Sequence, residues 1–568
     1  MIGAQATRRP TRSSLVGALV VAAVAAIPAA FHVAGLGFYL DDHYWLGIMN
    51  TSREHSVPAL FDALADDDPK AWTRPGMYLL LAALFRLFGT NPLPYHLFVA
   101  ALVPLCAVLI YFTLDRLRAP SFLTIGAPIL FASAPNYSTD RFWLASYAAP
   151  ASVALALVSV YASVRACASH GRRLAGWLVV GAAALVLSLL MYEIAVPLLG
   201  ATVVFLWYRG RRRRGSVRIA AVSWSLALAA ALAFKLIATS TLAAGTSHQF
   251  GYQSGFLHHM GYLVSGSVKV NFGTYGVGLP YVVWWIFANR LTWTAVAASL
   301  LVGIVVFTYL ARNARDLELP AARHLEGWTP RRLLGVGLAL FVVGYASFLV
   351  TEDIYFTSTG IDNRANIVAT VGVAVIAVGL VLWAVGVLPA RRQAPAFSLA
   401  VALLATIGTF ITSTLADYWV AANHRQREVV ARLSDALPAR LTNATVVLDG
   451  VCPEIGPGIV FAASYDLAGE LQARYHDPTI RAPVATAAVS VEPKGLAIST
   501  IIYGTKRPPH FYPYMPRLLI YDWPRRSTVR LTDAGTARRY FANTPRLSCP
   551  PLRSFTWGIH TSRLVPFA

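Results

Sequence analysis

The sequence predicts an α-helical polytopic membrane protein, with about 11 transmembrane helices, that carries a C-terminal extracytoplasmic α/β soluble domain. Three observations predict it. Only 13% of the residues are charged and 56% are hydrophobic, with a mean hydropathy of +0.54, whereas an ordinary soluble chain carries about 25% charged residues. Apolar runs near 20 residues recur between Ser14 and Leu415, each long enough for a hydrocarbon core of roughly 30 Å. Beyond Asp417 the apolar runs shorten to strand length and are broken by proline and glycine.

The net charge of +21 is distributed as a membrane protein requires. Its basic residues cluster between apolar runs, at Arg8-Arg9, Arg172-Arg173, Arg211 to Arg214, Arg331-Arg332 and Arg391-Arg392. Clusters of this kind hold loops on the cytoplasmic side, and the pattern argues for a lipid bilayer as partner and against nucleic acid.

With the N-terminus inside, a first span over 14–36 delivers the next loop outside. A cleaved signal peptide would leave that loop on the same side. The apolar stretch 77–88 is a dozen residues long with Arg86 inside it, a length that suits an interfacial helix better than a span. Keeping it on the outer surface lets the span 97–114 place Arg116 and Arg118 inside. The rival solution lets 77–88 cross and makes 121–134 the non-spanning piece; the first is preferred. Further spans are expected at 144–164, 177–192, 195–208, 219–239, 291–310, 333–350, 367–388 and 396–415. With 121–134 the crossings number about eleven, so the C-terminus lies outside. The outer loops are then 39–72, 135–142, 240–290 and 351–366.

A domain boundary is expected at 416/417, with residues 1–416 in the membrane and 417–568 forming the soluble domain. Residues 419–433 read as a surface helix leading in, followed by strands near 445–448, 485–491, 497–503 and 518–521. Cys452 and Cys549 are the only cysteines outside the membrane region. An oxidising outer compartment would let them pair, and two free thiols are the alternative.

The chain has no glycine-rich phosphate loop, no Cys/His cluster at metal-ligand spacing and no nucleophilic serine elbow, so nothing points to a nucleotide co-substrate. The richest segment is the first outer loop, 39–94, which opens with GFYLDDHYW. Two adjacent carboxylates, Asp41 and Asp42, stand at a membrane exit, where ionisable groups are costly and mark function. One can act as general base on a hydroxyl while its neighbour orients it or holds a metal; helix capping is the bland alternative. The run Asp66-Asp67-Asp68 reads as solvated. Arg74, before Pro75, suits a phosphate through charge-assisted hydrogen bonds.

This order of features resembles the GT-C superfamily of integral-membrane glycosyltransferases, in its bacterial RgtA/B/C/D-like and protein-mannosyltransferase-like branch. The resemblance rests on Asp41-Asp42 after the first span, on Thr73-Arg74-Pro75 opening a juxtamembrane helix that ends in RLFG, and on the outer-loop segment ASAPNYSTDR. It covers roughly the first 200 residues well and the rest by layout alone. The resemblance implies an inverting sugar transfer from a polyprenyl-phosphate donor to a hydroxyl on a glycan, glycolipid or protein, at the outer face of the bacterial cytoplasmic membrane. It implies Asp41 as base, Asp42 as its support and Arg74 on the donor phosphate.

The sequence departs from the family's layout in the second outer loop. Several relatives carry another acid a few residues after an arginine there, but here Asp140 precedes Arg141. That leaves a divalent metal open and makes Asp140 and Arg141 substrate-binding candidates. Tyr192 and Glu193, at an outer helix end, are candidates of the same kind, and Arg364, in STGIDNRAN, is a second phosphate or sugar contact. Lys235 either snorkels or reaches the cavity, and His248, His258 and His259 read as surface residues. A transporter or flippase is the rival class, expected to show internal repeats and a midplane site; a polymerase or ligase moving whole oligosaccharides is a third reading.

Overall fold

The computed structural model describes residues 12–212, 215–243, 255–317, 319, 328–350, 354–485, 489–502, 505–544 and 549. Among these, ten helices are long and apolar enough to cross a membrane.

The first helix, α1 (Arg12–His32), is followed by three helices that stay at one end of the bundle: α2 (Asp41–Thr51), α3 (Val57–Asp67) and α4 (Pro75–Phe88). Pro75 takes the first helical position of α4, where its missing N–H costs nothing. Both ends of α4 lie at this same end of the bundle. Arg74, at its start, pairs with Glu193. The Gly89 carbonyl, at its finish, accepts the Tyr95 hydroxyl at 2.7 Å, and the neighbouring His96 reaches the Gly37 carbonyl. The helix α5 (Pro92–Arg116) then runs to the far end, and α6 (Ser121–Ser133) returns. Phe122 of α6 packs edge-on against Phe397, and Asn136 just beyond α6 bonds Thr370 at 2.8 Å. Although only 13 residues long, α6 therefore makes an eleventh traverse, as the charge pattern predicts, and α4 does not.

Four more helices alternate in the same way: α7 (Ala148–Cys167), α8 (Gly171–Met191), α9 (Val196–Arg212) and α10 (Ser216–Thr241). Two shorter helices follow, α11 (Phe256–Val268) and α12 (Leu279–Asn289), joined by a π-helical stretch, Lys269–Val277. The last spans are α13 (Trp293–Arg312), α14 (Pro330–Tyr345), α15 (Ile367–Val385) and α16 (Ala390–Ala436). Helices in lipid gain little from apolar burial and associate through close approach of small residues. Thus Gly372 of α15 lies directly on the Phe341 and Gly337 backbone of α14, leaving no room for a Cβ. Arg116, Arg172, Arg211, Arg312, Arg331 and Arg391 all sit at the helix ends away from α2.

The expected surface helix at 419–433 is the second half of α16, a 47-residue helix roughly 70 Å long that runs unbroken through position 417. Trp419, Ala422, Gln426, Val429 and Leu433 recur at helical spacing and are buried. They pack against the C-terminal region, whose parallel pair β1 (Thr445–Asp449) and β7 (Leu518–Asp522) is flanked by β8 (Ser527–Leu531), in the order β1-β7-β8. A short hairpin, β2 (Glu454–Ile455) with β3 (Gly458–Ile459), follows β1, and then α17 (Asp466–Tyr475). The antiparallel sheet β4 (Val489–Glu492), β5 (Gly495–Ile502), β6 (Thr505–Pro513) and the closing helix α18 (Ala534–Asn543) complete it. Val447, Leu518, Ile520, Tyr512 and Tyr540 form its core, and Cys452 and Cys549 are disulfide-bonded.

This region docks on α2 through α17. Gly47 approaches Gly469 so closely that a Cβ on it would sit 2.8 Å from the Gly469 Cα, and a Cβ on Gly469 would collide with the His43 carbonyl. Around that contact His43 pairs with Glu470 at 3.2 Å, and the Asn50 amide donates to the Ala473 carbonyl at 2.8 Å.

Candidate active site

The chain enters α2 through a tight turn in which the Asp42 N–H returns to the Tyr39 carbonyl at 3.0 Å. Its first central residue, Leu40, has φ +49° and ψ −111°, a conformation normally left to glycine. Three bonds hold it there. The Asp42 carboxylate accepts the Tyr39 N–H at 2.9 Å on one oxygen and the Ala145 N–H at 2.7 Å on the other. The Trp143 indole donates to the Tyr39 carbonyl at 3.0 Å. Asp42 is therefore buried with both oxygens committed to backbone, and it staples the first outer loop to the second. Asp41 is left half-buried and turned into a cavity.

That cavity, of about 220 Å³, is lined by Asp41 and Asp68, by Lys70, Arg74 and Arg364, and by Tyr78, Ser146 and Tyr192. Three cations face two carboxylates. Asp41 accepts the Tyr465 hydroxyl at 2.7 Å, a partner supplied by the C-terminal region. Arg74 forks onto Glu193, with its Nε 3.2 Å from one oxygen, and its guanidinium lies 4.4 Å over the Tyr192 ring. Lys235 reaches the same carboxylate at 2.6 Å. Arg364 lies 5.1 Å over the Trp143 ring, and among the described residues its guanidinium makes no hydrogen bond or ion pair.

Burial raises the Asp41 carboxyl above the ordinary range, against the lowering pull of the Tyr465 hydroxyl and of Arg364. Nearby Asp68 pushes it further up. A carboxylate so desolvated is a stronger proton acceptor than one in water. Asp42 is pushed up further, again by burial. Burial disfavours the Arg74 charge, but Glu193 more than restores it and holds Arg74 above its usual value.

Arg364 is positioned by an amide network. Asn363, one residue before it, donates to the Ser138 hydroxyl at 2.9 Å and accepts the Thr139 N–H at 3.1 Å. Asn366, two residues after it, donates to the Asn136 carbonyl at 2.8 Å. These bonds lock 361–366 to 135–141, and every one of those groups is buried.

Asp140 and Arg141 lie in that locked layer, outside the cavity wall. Asp140 accepts the Ser146 hydroxyl on one oxygen and has no partner on the other. Burial raises its pKa to about 8, against the lowering effects of Ser146, Arg364 and Arg141. Arg141 donates to the Ala132 carbonyl at 2.6 Å and the Tyr137 hydroxyl at 2.9 Å, capping the end of α6. Among the described residues no group of three or more His, Cys, Asp or Glu side chains is disposed to hold a metal ion.

Three residues of the site escape the sequence. Tyr465 is 424 positions from Asp41. Asp68, expected to be solvated, instead accepts the Tyr78 hydroxyl at 2.8 Å and lines the cavity. Lys70 lines it too, two residues later. His259, expected at the surface, is buried and bonded to the Phe348 carbonyl at 2.7 Å; His258 is exposed, and His248 lies outside the described residues.

No family model matches the chain, and no curated protein matches it. Among solved structures, ArnT from Cupriavidus metallidurans bound to undecaprenyl phosphate is similar at 14% identity and a TM-score of 0.35, over 84% of this chain and 86% of that one. The same protein in the apo state gives 14% and 0.35, over 84% of this chain and 85% of that one.

Proposed function

We propose that this chain is a glycosyltransferase that moves a sugar from a polyprenyl-phosphate donor to an acceptor hydroxyl, at the outer face of a bacterial cytoplasmic membrane. The observation that carries the reading is the joint placement, on one cavity at the end of a helical bundle, of Asp41 and of the Arg364 guanidinium, which makes no hydrogen bond or ion pair among the described residues. A proton acceptor and a vacant cation on one small cavity suit a reaction that deprotonates one oxygen and develops negative charge on another.

In this mechanism Asp41 removes the proton from the acceptor hydroxyl, and the acceptor oxygen attacks the anomeric carbon. The bond from that carbon to the phosphate oxygen breaks, its electron pair leaving with the polyprenyl phosphate, and the anomeric configuration inverts. Arg364 and Lys70, which make no side-chain ion pair among the described residues, stabilise the departing phosphate. Arg74 joins them by letting go of Glu193, which keeps Lys235 as its partner. The carboxylate is thus never left unpaired in the low-dielectric end of the bundle. Tyr192 stays under the Arg74 guanidinium and steers it. Asp42 acts through Asp41, as the staple that aims it.

The proposed orientation is supported by the arginines at the opposite helix ends, since the positive-inside rule favours such residues on the cytoplasmic side. Binding of undecaprenyl phosphate to the purified protein in lipid nanodiscs tests the donor half. Arg364→Ala is expected to weaken it roughly ten- to hundredfold, the worth of one charge-assisted contact. Equal binding by wild type and variant would remove Arg364 from the phosphate site.

A further inference from the structure

Beside the small cavity lies a second and larger one, a cleft of about 700 Å³ walled by α2 and α3 on one side and by the C-terminal region on the other. We propose that this cleft is the acceptor site and that it takes a glycan, whose terminal hydroxyl replaces the Tyr465 phenol on Asp41. The proposal rests on the transferase reading and adds to it the place and the chemical class of the acceptor.

Tyr465 links the cleft to Asp41, which lines the smaller cavity. Its ring lines the cleft, 5.2 Å from that of Tyr44, and its hydroxyl passes through to Asp41 at 2.7 Å. A phenol O–H donating to the base has the geometry that an acceptor O–H must adopt before transfer. Tyr465 therefore marks the acceptor position while the site is empty. On binding, the acceptor hydroxyl takes over the bond to Asp41. It then yields its proton to that carboxylate as its oxygen bonds to the anomeric carbon and the polyprenyl phosphate departs with the bonding pair.

The lining selects the ligand class. Tyr44, Tyr465 and Phe511 present aromatic faces, and Phe511 is 49% exposed at the rim. Between them the side chains of Asp66, Arg481 and His510 make no hydrogen bond among the described residues. A sugar ring satisfies both sets, with its C–H face on the aromatics and its hydroxyls donating to Asp66 and accepting from Arg481 and His510. An acyl chain would bury those polar groups without partners, which is unfavourable. The carboxylates Asp66 and Asp67 against the single Arg481 guanidinium also repel a polyanionic headgroup. A cleft of this size lies within the usual span for organic ligands, roughly 300–1,000 Å³.

Saturation-transfer NMR tests the proposal on the full-length protein in nanodiscs. The probes are neutral and amino-bearing soluble di- to tetrasaccharides, with decanoate and an uncharged decapeptide as comparators. Saturation of the ring protons of at least one oligosaccharide is expected, weakened about tenfold or more in Tyr44→Ala and in Phe511→Ala, while undecaprenyl-phosphate binding is unchanged. Phe511→Ala alters an exposed side chain, so it keeps the test valid if Tyr44→Ala fails to fold. No saturation of any oligosaccharide at millimolar concentration overturns the proposal, as does a signal that survives both substitutions or one confined to decanoate or the peptide. Oligosaccharide binding by a wild-type protein that ignores undecaprenyl phosphate would sink the donor reading and leave the cleft standing.

Discussion

Replacing Asp41 or Asp42 by asparagine changes one terminal atom in each case, and the structure predicts opposite consequences. Asp42 accepts a backbone N–H on each oxygen, from Tyr39 and Ala145. An amide can accept only one of them and turns its NH2 on the other. The lost bond to a charged acceptor is worth about 1.5–3 kcal/mol, and a buried donor without a partner costs about 1–3 more. Relief of the buried charge offsets part of this, leaving a loss of roughly 2–4 kcal/mol. At Asp41 the amide oxygen still accepts the Tyr465 hydroxyl, so the expected stability change is within about 1 kcal/mol. If Asp41 is the base as proposed, its loss slows transfer about 10²- to 10⁴-fold, a barrier increase of roughly 3–5 kcal/mol. Thermal unfolding in detergent, followed by tryptophan fluorescence, and single-turnover transfer separate the two. Asp42→Asn should melt several degrees lower, whereas Asp41→Asn should melt with the wild type and fail in transfer. An Asp42→Asn protein as stable as wild type but inactive, beside an active Asp41→Asn, would refute this division of roles.

Three further outcomes follow from the same geometry. Tyr465 and Arg364 both lower the raised Asp41 pKa, and the base works only when deprotonated, so transfer rises with pH through that value. Tyr465→Phe should move this acidic limb to higher pH, and a pH–rate profile with an unmoved limb would mean the phenol does not act on the base. Asp140, at about 8 when folded against an ordinary 3.8, keeps its proton in the native state across a range where the unfolded chain has released it. Native stability should therefore fall from about pH 4 to pH 8, and Asp140→Asn should flatten that slope in melting curves. Gly469→Ala pushes a methyl into the His43 carbonyl and should loosen α17 from α2, seen as faster proteolysis of the C-terminal region and weaker transfer; unchanged protection would show that the contact yields freely.

The sequence makes the membrane architecture legible because length and charge are local signals. The dozen apolar residues around Arg86 and the position of Arg116 and Arg118 suffice to keep α4 at one end and send α6 across. The same holds for Asp41 and Arg74, each placed by what precedes and follows it. Residues whose role depends on folding are hidden. Tyr465 reaches Asp41 only because two glycines let α17 settle on α2. Asp68 cannot be told from Asp66 and Asp67 until Tyr78 turns back toward it. The change of composition at Asp417 resembles a domain boundary, yet helical spacing of buried residues continues from Trp419 to Leu433 along α16. Asp42 and Arg141, both charged and both near the site, serve backbone groups instead of the cavity, a distinction that no residue type announces.

The central claim, that Asp41 deprotonates an acceptor in a sugar transfer on the outer face, is tested most directly in the cells that make the protein. Envelope glycans and glycolipids of a strain lacking the gene would be compared by mass spectrometry with those of strains restored by wild type or by Asp41→Asn, expressed to equal levels. The account predicts that one sugar is missing from the deletion strain, returns with the wild type and stays absent with Asp41→Asn. Full restoration by Asp41→Asn would contradict it, as would unchanged outer glycans with a lipid-linked precursor trapped on the inner leaflet.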